Sequence, residues 1–196
     1  VHVTNATVTA SAGSGTAAIP VCAGGIVGIE NSQMTQPTSP GILNSSATSV
    51  TVTTGALNHM YAAGIAARAQ SIEGCSANNV TVNGGLYAAG IVVRSSDASA
   101  TGGPNLPMSV IDCSVTGASV INAAYANAQS IAGGILTFIN KVLQITVQGC
   151  EVGSGVSVTS VTGIAGGIIG TLNIPGGVLT PREDLTLSII DCQSYA

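Results

Sequence analysis

Cys150-Glu-Val-Gly-Ser-Gly-Val-Ser-Val158 and, a few residues on, Ala165-Gly-Gly-Ile-Ile-Gly170 decide how this chain reads. The first stretch alternates apolar and polar residues, a period of two that belongs to a strand with one buried face. The second is an aliphatic pair enclosed by glycines, a short strand between tight turns. Both recur. Cys113-Ser-Val-Thr-Gly-Ala-Ser-Val-Ile121 repeats the first, and Ala23-Gly-Gly-Ile26, Ala63-Gly-Ile65, Ala89-Gly-Ile91 and Ala132-Gly-Gly-Ile135 repeat the second. An aliphatic residue comes shortly before each of four cysteines, in Ile72-Glu-Gly-Cys75, Ile111-Asp-Cys113, Val147-Gln-Gly-Cys150 and Ile190-Asp-Cys192. These cysteines lie 38, 37 and 42 residues apart by subtraction, so Cys marks a position in a repeat.

Short strands, regular glycine turns and a recurring unit predict an all-β fold: a parallel β-solenoid (β-helix) of imperfect repeats of roughly 40 residues, one or two coils each. The composition suits a narrow interior. Hydrophobic residues make up 45%, mostly Ala, Val and Ile, while aromatics are 3% with no Trp. Residues 1–196 read as one repeat domain, expected to be a segment of a longer repeat protein or a subunit that stacks end to end. Gly and Pro clusters put loops at Gln36–Gly41, Thr101–Pro107 and Pro175–Gly177. Loops at 31–48 and 95–109 are expected to present the contact surface.

The pattern of an aliphatic, two residues, Cys, alternating Val, and then Ala-Gly-Gly-Ile-x-Gly resembles the GLUG-type repeats of bacterial surface and adhesin-like proteins. Val147 to Gly170 and Ile111 to Leu136 carry the resemblance best, with Ala62 to Gly90 looser and the first 60 residues matching only at Ala23 to Gly28. Those repeats carry an aromatic after Cys, where this chain has Ser76, Ser114, Glu151 and Gln193. The resemblance implies a solenoid with a structural or adhesive role at the cell surface, and it brings no catalytic residues.

Charge excludes several classes. Only 6% of residues are charged, against about 25% in an ordinary domain. Four Lys plus Arg cannot form a basic patch for nucleic acid. No apolar run reaches the roughly 18 residues of a membrane helix. Five Cys without a CxxC pair, beside two His, predict neither a zinc site nor a closed disulfide framework, and no cofactor. The low Lys and high Ser and Thr content point to an extracellular or surface location. Asn5, Asn44 and Asn79 head sequons and are candidate glycosylation sites.

Each remaining candidate has a plain structural reading beside its functional one. Tyr61-Ala-Ala-Gly-Ile-Ala-Ala-Arg68 and Tyr87-Ala-Ala-Gly-Ile-Val-Val-Arg94 are near copies 26 residues apart. In adjacent coils, Tyr61, Arg68, Tyr87 and Arg94 would line up on the surface, where stacked guanidinium groups suit an anionic cell-surface glycan. The plain reading ties each Arg to Glu73, Asp97 or loop carbonyls. Cys75, Cys113, Cys150 and Cys192 read as a buried structural ladder, since no repeated cation accompanies them to activate a thiolate. Among the carboxylates, Asp112 and Asp191 share a repeat position and read as turn residues. Glu30, Glu73, Asp97, Glu151, Glu183 and Asp184 show no opposed pair of the kind a polysaccharide-degrading β-helix needs. Thr7-Val-Thr9, Thr51-Val-Thr53 and Ser157-Val-Thr159 have the look of an ice-binding face. Thr81-Val-Asn83, Ser114-Val-Thr116 and Thr146-Val-Gln148 break that pattern, and Thr is a good strand residue in any case. The sequence therefore predicts a non-enzymatic structural or adhesive solenoid, with carbohydrate or ice binding as the alternative. Its expected partners are neighbouring repeats, identical subunits stacked end to end, or surface glycans.

Overall fold

A computed structural model describes residues 1–11, 20–29, 41–94, 107–126, 129–138, 144–171 and 186–196. The described residues form twenty-six strands of two to five residues and no helix. Every pairing between them is parallel, and each strand pairs with the strand five places along the chain. The chain is thus a parallel β-solenoid whose coil has five sides.

One coil shows the plan. Ser76–Asn78 lies in sheet A, Thr81–Gly84 in sheet B, Tyr87–Ala89 in sheet C, Val92–Arg94 in sheet D and Met108–Ile111 in sheet E. Ser114–Thr116 then returns to sheet A directly beside Ser76–Asn78. Each Cys-headed repeat is therefore one coil, not two, because Ser46, Ser76, Ser114, Glu151 and Gln193 are successive partners in one sheet.

The alternation seen in the sequence becomes inward and outward columns. On sheet B, Val8, Val52, Val82, Ile121 and Val158 stack through the interior. Val52, Val82 and Ile121 are fully buried, and each such side chain contributes about 1.5–3 kcal/mol of burial. Ile26, Ile65, Ile91, Ile135 and Ile168, the aliphatics of the Ala-Gly-Ile signature, line the same core.

The glycine of that signature has a specific cause. A Cβ on Gly25 would overlap the carbonyl oxygen of Gly64, one on Gly64 that of Gly90, one on Gly90 that of Gly134, and one on Gly134 that of Gly167. Backbone packs on backbone along the whole corner between sheets C and D, so only glycine fits. Other corners use left-handed residues. Entering sheet A, Asn44, Gly74, Asp112, Gly149 and Asp191 all have positive φ, between 45° and 62°. Asn and Asp tolerate that region because their short polar side chains bond locally.

The loop expectation needs correction at its inner edges. Ile42–Leu43 and Ser46–Thr48 are strands of sheets E and A, and Met108–Ile111 is a strand of sheet E. Residues 31–40 and 95–106 lie outside the described residues.

Candidate functional site

The two Tyr–Arg copies do meet in register: Tyr61 pairs with Tyr87 and Arg68 with Arg94. The tyrosine rings stand 5.1 Å apart and tilted by 59°. Their expected place on the surface is not what the structure shows. Tyr61 is 2% exposed, Tyr87 5% and Arg68 8%, with Arg94 half-buried. The cause is the glycine corner. It bends sheets C and D so that their outward faces close on each other, and Tyr61, Ala63, Ala67, Tyr87, Ala89, Val93 and Ile131 form a second core outside the main interior. Of the four side chains, Arg94 alone keeps partial exposure.

Arg94 donates a hydrogen bond to the Tyr61 hydroxyl. Cys22, paired with Tyr61 across the coils, completes the cluster. Sequence reading left Cys22 out, although it stands in Cys22-Ala-Gly-Gly-Ile26 where Tyr61 stands in Tyr61-Ala-Ala-Gly-Ile65. Burial pushes the Cys22 thiol up to about 11, against the opposing pull of Arg68 and Arg94. Burial also raises Tyr61 and, more strongly, Tyr87, whose proximity to Tyr61 adds to the shift. At neutral pH these are neutral acids, so the cluster offers no thiolate or phenolate nucleophile.

In the cysteine ladder, Cys75, Cys113 and Cys150 are buried, Cys192 is half-buried, and none is in a disulfide. Each thiol donates to the carbonyl two residues earlier, at 3.4 Å for Cys75, 3.2 Å for Cys113 and 3.3 Å for Cys150 and Cys192. Ser45 does the same to Leu43 at 2.9 Å, a fifth member that the sequence disguised by changing the atom. The signal was present in Ile42-Leu-Asn-Ser45 beside Ile72-Glu-Gly-Cys75.

Asp112 and Asp191 occupy left-handed corners, the turn role read for them. All three sequon asparagines do so as well, with φ of 50°, 45° and 51° at Asn5, Asn44 and Asn79. Asn79 Oδ1 accepts the Ala118 N–H at 2.9 Å, so corner geometry accounts for that residue without a glycan. Glu73 and Glu151 point outward from sheets E and A, while Glu30, Asp97, Glu183 and Asp184 lie outside the described residues.

The threonine motifs sort themselves by sheet. Thr7-Val-Thr9, Thr51-Val-Thr53, Thr81-Val-Asn83 and Ser157-Val-Thr159 share sheet B in one register, with Val120-Ile-Asn122 between the last two. Ser114-Val-Thr116 belongs to sheet A and Thr146-Val-Gln148 to sheet E. What read as a broken pattern is thus two outward columns on one sheet, Thr7-Thr51-Thr81-Val120-Ser157 and Thr9-Thr53-Asn83-Asn122-Thr159, with no charge in either.

No protein family, curated protein or solved structure matches the chain. The class is set by the fold alone, a five-sided parallel β-solenoid with one Cys-marked coil per repeat.

Proposed function

We propose that this chain is a non-enzymatic structural and adhesive rod segment of an extracellular or surface protein, of the kind carrying GLUG-type repeats. The observation that carries this reading is the unbroken register of all five sheets through every coil. Segments of differing length separate the described strands without shifting a partner, as a stack with variable attachments requires. Low-dose electron microscopy of the native material tests the reading. Rods or filaments with a fine axial strand repeat are expected, and isolated compact particles would overturn it.

The register of sheet B favours a second reading, in which its hydroxyl and amide columns bind ice or a neutral glycan. Thermal hysteresis of the purified protein, with a Thr51→Lys/Thr81→Lys variant as control, separates that reading from strand chemistry alone.

A further inference from the structure

Four thiols stand in consecutive coils at one corner. Beyond the carbonyl two residues back, each lies near a carbonyl of the preceding coil: Ile42 at 3.5 Å from Cys75, Ile72 at 3.9 Å from Cys113, Val110 at 3.5 Å from Cys150 and Val147 at 3.5 Å from Cys192. Ser76, Ser114, Glu151 and Gln193, which follow these cysteines, are successive partners in sheet A, so the cysteines stack one coil above the next. The sulfurs therefore form a line along the stacking direction, sheathed by backbone carbonyls and apolar side chains.

Strand stacking sets the pitch of that line at about 4.7–4.9 Å. Two metal–sulfur bonds of about 2.3 Å, placed end to end, span nearly the same distance. No group of three or more His, Cys, Asp or Glu converges among the described residues, so a tetrahedral ion such as zinc finds no ligand set. An ion satisfied by two collinear soft ligands does find one. We propose that the ladder is a binding site for soft monovalent d10 cations, Cu(I) or Ag(I), held linearly between the sulfurs of successive coils. Four sulfurs accept two ions, one between Cys75 and Cys113 and one between Cys150 and Cys192. At each, one thiol releases its proton to solvent and binds as thiolate, while its neighbour binds through a sulfur lone pair. One cation enters, one proton leaves, and no electron moves. The adduct is neutral, as a dry site demands, because an uncompensated buried charge is costly.

The test is titration of the reduced protein with Ag⁺ in chloride-free buffer, read by native mass spectrometry, proton release and melting. Two ions per folded chain are expected, with one proton released per ion. The Tm should rise by about 10–20 °C with both sites at a hundredfold excess over Kd. Cys113→Ser/Cys150→Ser leaves Cys75 and Cys192 without a sulfur neighbour and should take up none. The native Ser45 shows that a hydroxyl is accommodated at this ladder position, so the variant is expected to fold. Cys22→Ser should leave uptake unchanged. The proposal is overturned by undiminished uptake in the double variant, by four ions per chain, or by binding that appears only on unfolding with a fall in Tm.

Discussion

Sheets A and B on one side of the coil, and sheets C and D on another, are built from the same chain but by different rules. On A and B, residues alternate, with Val and Ala inward and Ser, Thr and Asn facing solvent. In the middle coils of C and D both faces are buried, and Met60-Tyr-Ala-Ala63 and Ala66-Ala-Arg68 are covered throughout. The difference comes from curvature. A corner that bends outward leaves the outer face wet, whereas the glycine corner folds two outer faces together and makes a second core. The neutral acids of the Cys22–Tyr61–Tyr87 cluster follow from that, since only the closed side desolvates its outward residues.

The sharpest way to break this contrast is at glycine. Gly90→Ala drives a Cβ into the Gly134 carbonyl and the Val115 side chain, and should cost about 3 kcal/mol or more by denaturant melting. Gly153→Ala, on the sheet A side, meets nothing closer than 3.6 Å and should fall within about 0.5 kcal/mol of wild type. Next in size is Tyr87→Ala, which should cost about 3–5 kcal/mol by emptying the closed notch, while Thr51→Ala on the open face should cost about 0.5 kcal/mol or less. An alkaline melt probes the same contrast more gently. The Cys22 thiol has a folded pKa raised to about 11, so its contribution is whole below the unfolded value near 9 and is lost as pH rises through 11. That loss is about 3 kcal/mol, and Cys22→Ala should flatten the fall in Tm over this window. At the ladder, Cys113→Ser, imitating Ser45, should change stability by about 1 kcal/mol by the same melting measurement, less than either core substitution.

Much of this was legible in the residues. The period-two stretches gave strands, and the spacing of Cys75, Cys113, Cys150 and Cys192 gave the repeat, because a column position tolerates few side chains. The near-identity around Tyr61 and Tyr87 gave their register. Their burial was not legible. Alternation tells which face of a strand turns inward, but not whether the outward face meets another sheet, and that depends on how a glycine corner bends. The threonine columns were hidden for a related reason. Thr-x-Thr triplets look alike in a string, and only the fivefold strand order assigns them to sheets A, B and E.

The corner entering sheet A sets an arithmetic of its own. Asn44, Gly74, Asp112, Gly149 and Asp191 alternate between a side chain and none. The Asn44 and Asp112 carboxamide and carboxylate oxygens occupy the space that a Cβ on Gly74 or Gly149 would need. Removing the coil that carries Gly74 would set Asn44 against Asp112, two side chains competing for one gap. Doubling it would set Gly beside Gly and leave that gap empty. At this corner the period is two coils, so a lineage that lengthens or shortens this rod should do so most readily by even numbers.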